Sequence, residues 1–287
     1  MSSLSQSRIK EYIGLRFLGI CTLIVLAFIF IVLIDIVWKG AGVLSWDFIF
    51  GIPRKGMTEG GIYPAIAGTT LVTIITAVFS IPVGVATAIY LNEYAKENWM
   101  TKALRASIRN LAGVPSIIYG LFGVALFVEA MRLGSSVISS GLTLGLMTLP
   151  YIITATEEAL RSVPNSYREG SLALGATKWE SIRTAVLPSA IPGITTGAIL
   201  GLSRAAGETA PILFTGVTFY LRFPPDTLDS EFMALPYHLY ILSTQHHAIE
   251  EVRPLAYGTA LVLILLILGL NILAFIIRSK YGNHSRR

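Results

Sequence analysis

The chain has 287 residues, 53% hydrophobic and 14% charged, with a mean hydropathy of +0.67. A water-soluble domain carries about 25% charged residues, so a soluble globule is excluded, and so is a charge-rich disordered chain. A single cysteine, Cys21, excludes a disulfide framework and any cysteine-held metal cluster. The net charge of +5 has to be read by position rather than by sum.

A bilayer core about 30 Å thick needs about 20 apolar residues of helix. Six stretches meet that requirement: 17–34, 63–91, 110–128, 133–156, 191–213 and 255–277. Backbone polar groups in hydrocarbon must be satisfied within the segment, which makes long apolar runs helices. The alternating segments of about 10 residues that a membrane barrel needs are absent from the sequence. The expected fold is all-α and integral to the membrane, with six transmembrane helices: a core of five preceded by an N-terminal helix.

An even number of spans puts both termini on one side. That side carries fifteen Lys and Arg near the span ends, and the opposite side six. The positive-inside rule therefore places both termini in the cytoplasm. The basic residues then face lipid headgroups and imply no nucleic-acid partner. The run 17–34 is longer than the 7–15-residue core of a cleaved signal and reads as a retained anchor. Leu18-Gly19-Ile20-Cys21 is a poor lipidation box, because bulky Ile20 stands where a small residue is needed. Cys21 reads as a lipid-facing or packing residue.

Gly60-Gly61-Ile62-Tyr63-Pro64 punctuates the chain after the first span and its outside loop. The expected organisation is 1–60 as a cytoplasmic start, first helix and outside loop, 61–277 as the transmembrane domain, and 278–287 as a cytoplasmic basic tail. Gly193, Gly197 and Gly201 in the fifth span, and Gly141 and Gly145 in the fourth, repeat every four residues. Small residues at that spacing allow close helix packing in lipid. The outside segment 215–254 contains Pro224, Pro225, Pro236, His238, His246 and His247. Lacking a third ligand at helical spacing, these read as solvated loop histidines, not a metal site. A loop of such length reads as a docking or gating surface.

The cytoplasmic stretch 164–192 carries two helix-start signatures. Ser166-x-x-Glu169 and Thr177-x-x-Glu180 both have the form of a capping box. Gly175 stands between them as a helix terminator, and Pro188 is expected to close the second helix. The result is a knob of two short helices between spans four and five. Its plain alternative is a helical hairpin lying on the membrane.

Here the chain resembles a known family. Glu169-Gly170-Ser171, three residues, Gly175, nine residues, then Ala185-Val186-Leu187-Pro188 is similar to the permease motif of bacterial ATP-binding-cassette importers. That motif runs Glu-Ala-Ala, three residues, Gly, nine residues, Ile-x-Leu-Pro. Glu169, Gly175, Leu187 and Pro188 match by identity, while Gly170, Ser171 and Ala185 are small or apolar departures. The resemblance implies a coupling helix that seats in a groove of a separate ATPase subunit. The chain itself has no Gly-x-x-x-x-Gly-Lys-Ser/Thr phosphate loop. It is therefore expected to bind no cofactor, with ATP-Mg held on partner subunits.

The fifth span carries Ser203-Arg204-Ala205-Ala206-Gly207-Glu208-Thr209. One such charge at mid-bilayer costs about 2.5–3.5 kcal/mol on insertion scales, and Arg204 and Glu208, one turn apart, can partly neutralise each other. They read either as a structural staple or as a pathway element. A planar guanidinium with five donors suits the oxygens of an oxyanion. Arg-Ala-x-Gly-Glu resembles oxyanion importers generally, sulfate and molybdate permeases included, whereas the following Thr209-Ala210-Pro211 resembles phosphate permeases. Stretches 90–95 and 111–120 agree, and the resemblance, covering about 60–277, points to the A-type permease subunit of a phosphate importer. It implies an ATPase dimer, a second homologous permease and an extracytoplasmic phosphate-binding protein. It also implies that Arg204, Glu208, Thr209 and Ser203 form a pathway or gate, and that Glu169, Gly170, Ser171, Gly175, Leu187 and Pro188 couple to the ATPase.

Two other readings remain at this point. An intramembrane enzyme would need an activated nucleophile, but there is no His-Glu-x-x-His, no Gly-x-Ser-x-Gly and no histidine within a span. A transporter driven by an ion gradient shares the composition and the buried pair, but does not explain the knob.

Overall fold

The computed structural model describes residues 2–282. Arg286 and Arg287, counted above for orientation, lie outside the described residues, as do the side chains of Arg8, Lys10, Arg278 and Lys280. The first helix, α1 (Ser2–Ala41), includes the membrane-length stretch Gly14–Ala41, in which only Gly40 is buried by the rest of the chain. Cys21 is exposed on it. Its outer end alone meets the bundle. Gly40 lies so close to the last helix that a Cβ there would stand 2.7 Å from the Tyr257 carbonyl oxygen. Lys39 adds bonds to Asp35 and to the Tyr257 hydroxyl.

An outer loop follows, built from a turn of helix, α2 (Trp46–Phe50), and a minimal antiparallel hairpin of β1 (Pro53–Arg54) and β2 (Glu59–Gly60). Then come α3 (Tyr63–Ile89), α4 (Trp99–Leu111), α5 (Ser116–Gly123), α6 (Val137–Arg161), α7 (Asn165–Ala173), α8 (Lys178–Ser181), α9 (Leu187–Ala206), α10 (Ala210–Thr215), α11 (Leu235–Thr244) and α12 (Ile249–Gly282). Five stretches can cross a membrane by length and composition. A bent pair, Trp99–Leu111 with Ser116–Ala130, is a sixth.

The bundle is organised around α6, whose two neighbours α3 and α9 approach it at glycines. A Cβ at Gly141 or Gly145 would stand 2.5 Å from Ile75 or Phe79 of α3. On the other side, one at Gly193 or Gly197 would stand 2.6 or 2.2 Å from Ala159 or Ala155. The four-residue glycine repeats are thus packing stripes, as their spacing predicts. Buried hydroxyls along the seam return to their own helices: Thr69, Thr73, Thr76 and Ser80 each donate to the carbonyl four residues earlier, at 2.7–2.8 Å. That removes the penalty of an unpaired polar group in an apolar layer. Thr76 is also 3.1 Å from the Gly141 carbonyl and so joins α3 to α6.

Three expectations about the helices are corrected. The run 110–128 is not one helix: α4 ends at Leu111 and the chain turns through 101° before Ser116–Ala130. Gly113 and Pro115 sit in the turn, and proline cannot continue the helical hydrogen bonding of residues before it. The run 191–213 is not one helix either, because α9 stops at Ala206 and α10 restarts at Ala210 with Pro211 in its first turn. Nor does Pro188 close a helix. A widened π-type turn, Ile182–Val186, carries α8 into α9, and Pro188 falls in the first turn of α9, where no N–H is required. The stretch Lys178–Ala206 is therefore continuous from knob to mid-bundle.

The segment 215–254 folds inward from Phe232 onward, whereas 219–231 stays at the surface. Phe232, Met233, Ala234 and Leu235 are at most 1% exposed. Leu235 N–H donates to Thr69 Oγ1 at 2.8 Å, and a Cβ at Gly68 would stand 2.1 Å from the Met233 carbonyl oxygen. The reading of solvated histidines fails with it. His238 and His246 are both 3% exposed because α11 packs into the core beneath Phe48, Met57 and Ile62, whereas His247 stays exposed. His246 Nδ1 accepts from Ala248 N–H, which leaves Nε2–H to donate to the Gly56 carbonyl. His238 Nδ1 has no partner. Burial, and secondarily the neighbouring His246, hold the His238 pKa down to about 4.

Two outcomes are expected. Gly197→Val should lower the detergent melting temperature by the equivalent of about 1–3 kcal/mol through overpacking, whereas Gly19→Ala, with open space around it, should not. The neutral His238 ring stabilises the cap fully above the ordinary pKa of 6.5, and that stability is lost as pH falls toward 4. Protection of α11 amides, corrected for intrinsic exchange, should drop by about 2 kcal/mol between pH 7 and pH 5. His238→Phe should abolish that drop.

Candidate functional site: a polar helix break and a helical knob

Ser203 and Arg204 lie in the last turn of α9, and Gly207-Glu208-Thr209 forms the break before α10. The N–H groups of Gly207 and Glu208 still bond the carbonyls of Arg204 and Ala205, at 3.1 Å each. A positive side chain in the final turn suits the negative end of the helix dipole. Arg204 Nε stands 3.6 Å from Glu208 Oε1, an ion pair without a short hydrogen bond. The Arg204 side chain is 54% exposed and that of Glu208 19%.

The guanidinium also covers the ring of Tyr151, 4.9 Å from its centroid, near the middle of α6. Tyr151 Oη donates to the Ala112 carbonyl in the bend between α4 and α5, at 2.9 Å. Ser203 Oγ donates to Asn271 Oδ1 of α12 at 3.0 Å, and Thr209 is half-buried at the start of α10. The predicted residues thus gather at one break, joined by two that sequence reasoning does not name. The usable signal for Tyr151 was a polar aromatic directly after Pro150, in an otherwise apolar span.

A half-exposed arginine midway along a membrane bundle cannot face lipid tails cheaply. Its open side has to meet water, an anion or another polypeptide. Among the described residues no group of three His, Cys, Asp or Glu side chains is placed to hold a metal ion.

The knob forms as a pair of helices, α7 and α8, but with one cap rather than two. Thr177 and Glu180 make the full capping box. Ser166 caps nothing, because α7 already begins at Asn165 with Pro164 at its cap position. Gly175 has a φ of +88° and ends α7, its N–H on the Leu172 carbonyl. Of the predicted coupling residues, Glu169, Gly170 and Gly175 are exposed on the knob and Ser171 is half-buried, its hydroxyl bonded to that of Ser181. Leu187 and Pro188 lie apart, at the root of α9. The knob leaves Leu174 91% exposed, with Tyr167, Leu172 and Trp179 also open. Apolar side chains displayed this way on a water-facing projection mark an interaction surface.

Two largely buried arginines, which sequence reasoning counts only toward orientation, fasten the ends of the spans on the knob's side. Arg105 of α4 donates to Glu157 of α6 at 2.9 Å, to Glu97 at 3.2 Å and to the Leu91 carbonyl at 2.6 Å. Arg168 of α7 meets Glu93 at 2.7 Å.

Membrane-length helices, some of them broken, thus carry a polar pair at the break between α9 and α10 and a helical knob at one end of the bundle. Residues 80–282 match the binding-protein-dependent transport system inner membrane component family, and the chain belongs to that family. It is 33% identical to the probable ABC transporter permease protein YqgI of Bacillus subtilis, over 93% of this chain and 94% of that protein. It is 34% identical to the phosphate transport system permease protein PstA 1 of Mycobacterium tuberculosis, over 86% and 84%. With the probable phosphate transport system permease protein PstA of Methanocaldococcus jannaschii the identity is 33%, over 91% of each.

Two solved structures share the fold. One is a bacterial alginate ABC transporter in complex with an alginate-bound periplasmic protein (TM-score 0.62, 15% identity, 97% of this chain and 95% of that one). The other is the inward-facing MetNI methionine ABC transporter (TM-score 0.60, 17% identity, 77% and 97%). The fold is that of type I importer permeases, and the chain is a multi-pass inner-membrane transport subunit, not an enzyme. Permeases of this family work with a separate ATPase and a substrate-binding protein.

The contrast between the two predicted caps is testable. Thr177→Ala should weaken amide protection at the start of α8 by about 1 kcal/mol, and Ser166→Ala should leave α7 protection unchanged.

Proposed function

We propose that this chain is a permease subunit of an ATP-driven importer that moves inorganic phosphate across the cytoplasmic membrane. The observation that carries the reading is the open guanidinium of Arg204, in a chain that matches phosphate transport system permeases over most of its length. A planar fork of donors at mid-depth can hold two oxygens of a tetrahedral anion at once. Glu208, 3.6 Å away, neutralises the guanidinium when no anion is there and yields it when one arrives. The pair therefore acts as a switchable gate, with Ser203 and Thr209 at its edges.

The half-exposed face of Arg204 and Tyr151 meets a second permease, either a copy or a sibling, across the path. Glu169, Gly170, Ser171 and Gly175 present the knob to one subunit of an ATPase dimer that holds ATP-Mg, and Leu187 and Pro188 root it in α9. An extracytoplasmic phosphate-binding protein delivers the anion to the outer cap, and both termini lie in the cytoplasm. One arginine supplies too few contacts for tight selection, which falls to the binding protein.

Uptake in cells lacking their own high-affinity importer, with partner subunits supplied, tests this. ATP-dependent phosphate uptake blocked by arsenate and not by sulfate is the expected result, while block by sulfate or molybdate would reassign the substrate. Arg204→Ala should reduce uptake at least about tenfold, as expected from losing a charge-assisted contact of about 1.5–3 kcal/mol. Arg204→Lys should fall between the two. Unchanged uptake in both variants would remove Arg204 from the path.

A further inference from the structure

The knob is fastened to the end of α3 mainly by one largely buried guanidinium, that of Arg168, with Lys178 of α8 lying 5.0 Å from the Tyr94 ring centroid beside it. The geometry points to the Arg168–Glu93 pair as the positioning element that makes α7, the cytoplasmic end of α3 and the end of α6 move as one body during transport. This inference rests on the knob being the ATPase dock.

None of the α7 residues is buried, so apolar packing does not hold that helix in place. Arg168, next to Glu169, does so instead. Its Nη2 donates to Glu93 Oε1 at 2.7 Å, and its Nε lies 3.3 Å from each carboxylate oxygen. Nη2 also donates to the Leu160 carbonyl and Nη1 to that of Val163, both at 3.0 Å. Those carbonyls close the C-terminal end of α6, where a helix leaves acceptors unpaired. The Arg168 side chain is 19% exposed and that of Glu93 7%.

Glu93 stands in the widened turn Tyr90–Tyr94 that ends the second span, with Asn92 donating to it at 2.8 Å. One planar group therefore ties three elements, and a bidentate fork fixes direction as well as distance.

The other attachment is of a different kind. The hinge between α7 and α8 is Gly175, at φ +88°, and α8 enters α9 through the widened turn Ile182–Val186. A displacement applied at the exposed tip thus reaches α9 and α6 through the backbone, by the turn 182–186 and the link 162–164, whereas α3 has no short chain link to the knob and is reached through Arg168. Without the pair, α7 could yield at Gly175 while α3 stayed still, and ATP would be hydrolysed without passage of the anion.

The test uses the complete transporter in proteoliposomes, with phosphate moved per ATP hydrolysed as the readout. In Glu93→Gln and in Arg168→Lys, the ATPase should remain in the purified complex and continue to hydrolyse ATP. Transport per ATP should fall about tenfold or more, the range of a typical coupling energy between sites. An unchanged ratio in both variants overturns the inference. Loss of the ATPase from both complexes also overturns it, since the pair would then only shape the dock.

Leu174→Glu at the tip separates this from the underlying reading. Retention of the ATPase there would refute docking through the knob. Spin labels at positions 90 and 166, in a Cys21→Ser background, give a second readout. Their separation should stay constant between nucleotide-free and ATP-trapped states and should change in Glu93→Gln. A change in the otherwise native protein would overturn the one-body motion.

Discussion

The absence of water in the bilayer core governs this architecture, because every backbone group there needs a partner from the chain itself. A helix satisfies that rule without help, so any departure from a straight helix needs a local device. Besides the prolines inside α3, α6, α9 and α12, several departures have such a device. Pro64 and Pro211 sit where helices begin and a missing donor does no harm. Widened turns absorb an extra residue at Tyr90–Tyr94, Val124–Ala130 and Ile182–Val186. Buried hydroxyls on α3 return to their own carbonyls. Two of the widened turns lie beside the knob, and the full break in α9 lies beside Arg204, so the departures fall where the proposed mechanism needs a hinge or a gate.

Electrostatics divides the charged groups of the bundle into two kinds by exposure and geometry. Arg105 and Arg168 are mostly buried and hydrogen-bonded to carboxylates and to helix-end carbonyls, an arrangement that fixes position. Removing one partner from such a pair strands a buried charge, which costs several kcal/mol. Arg204 has the opposite character. Its carboxylate stands off at 3.6 Å, its side chain is more than half exposed, and its other neighbour is the face of a tyrosine ring. The same residue type thus serves as a fastener at the knob's end of the bundle and as an accessible group at the break after α9.

The outer side is closed by different means. The segment between α10 and α12 brings Phe232 to Leu235 against α3 and α6, and α11 buries two histidines beneath the outer loop. Close backbone approach at Gly68 and the bond from Leu235 to Thr69 seat this cap on the helix that the knob reaches from below. Both ends of α3 therefore carry an attachment, which suits a helix that has to relate events on the two sides of the membrane.

Much of this was determined by the sequence alone. Apolar length specified the membrane class and most of the spans, because that signal is local and large. Four-residue glycine repeats specified the packing stripes, and Thr177, Glu180 and Gly175 specified the knob, because caps and helix stops act within a few residues. Arg204 and Glu208 were conspicuous as charges in an apolar run. The tertiary structure alone decided what depends on distant partners. It broke the fifth span after Ala206, turned 110–115 out of the third, and left Ser166 without a capping role. It buried His238 and His246, and it brought Tyr151 and Asn271 to the polar break. Arg168 and Glu93 are 75 positions apart. No local pattern of either reveals the other, because an ion pair is defined by where two helix ends meet in space.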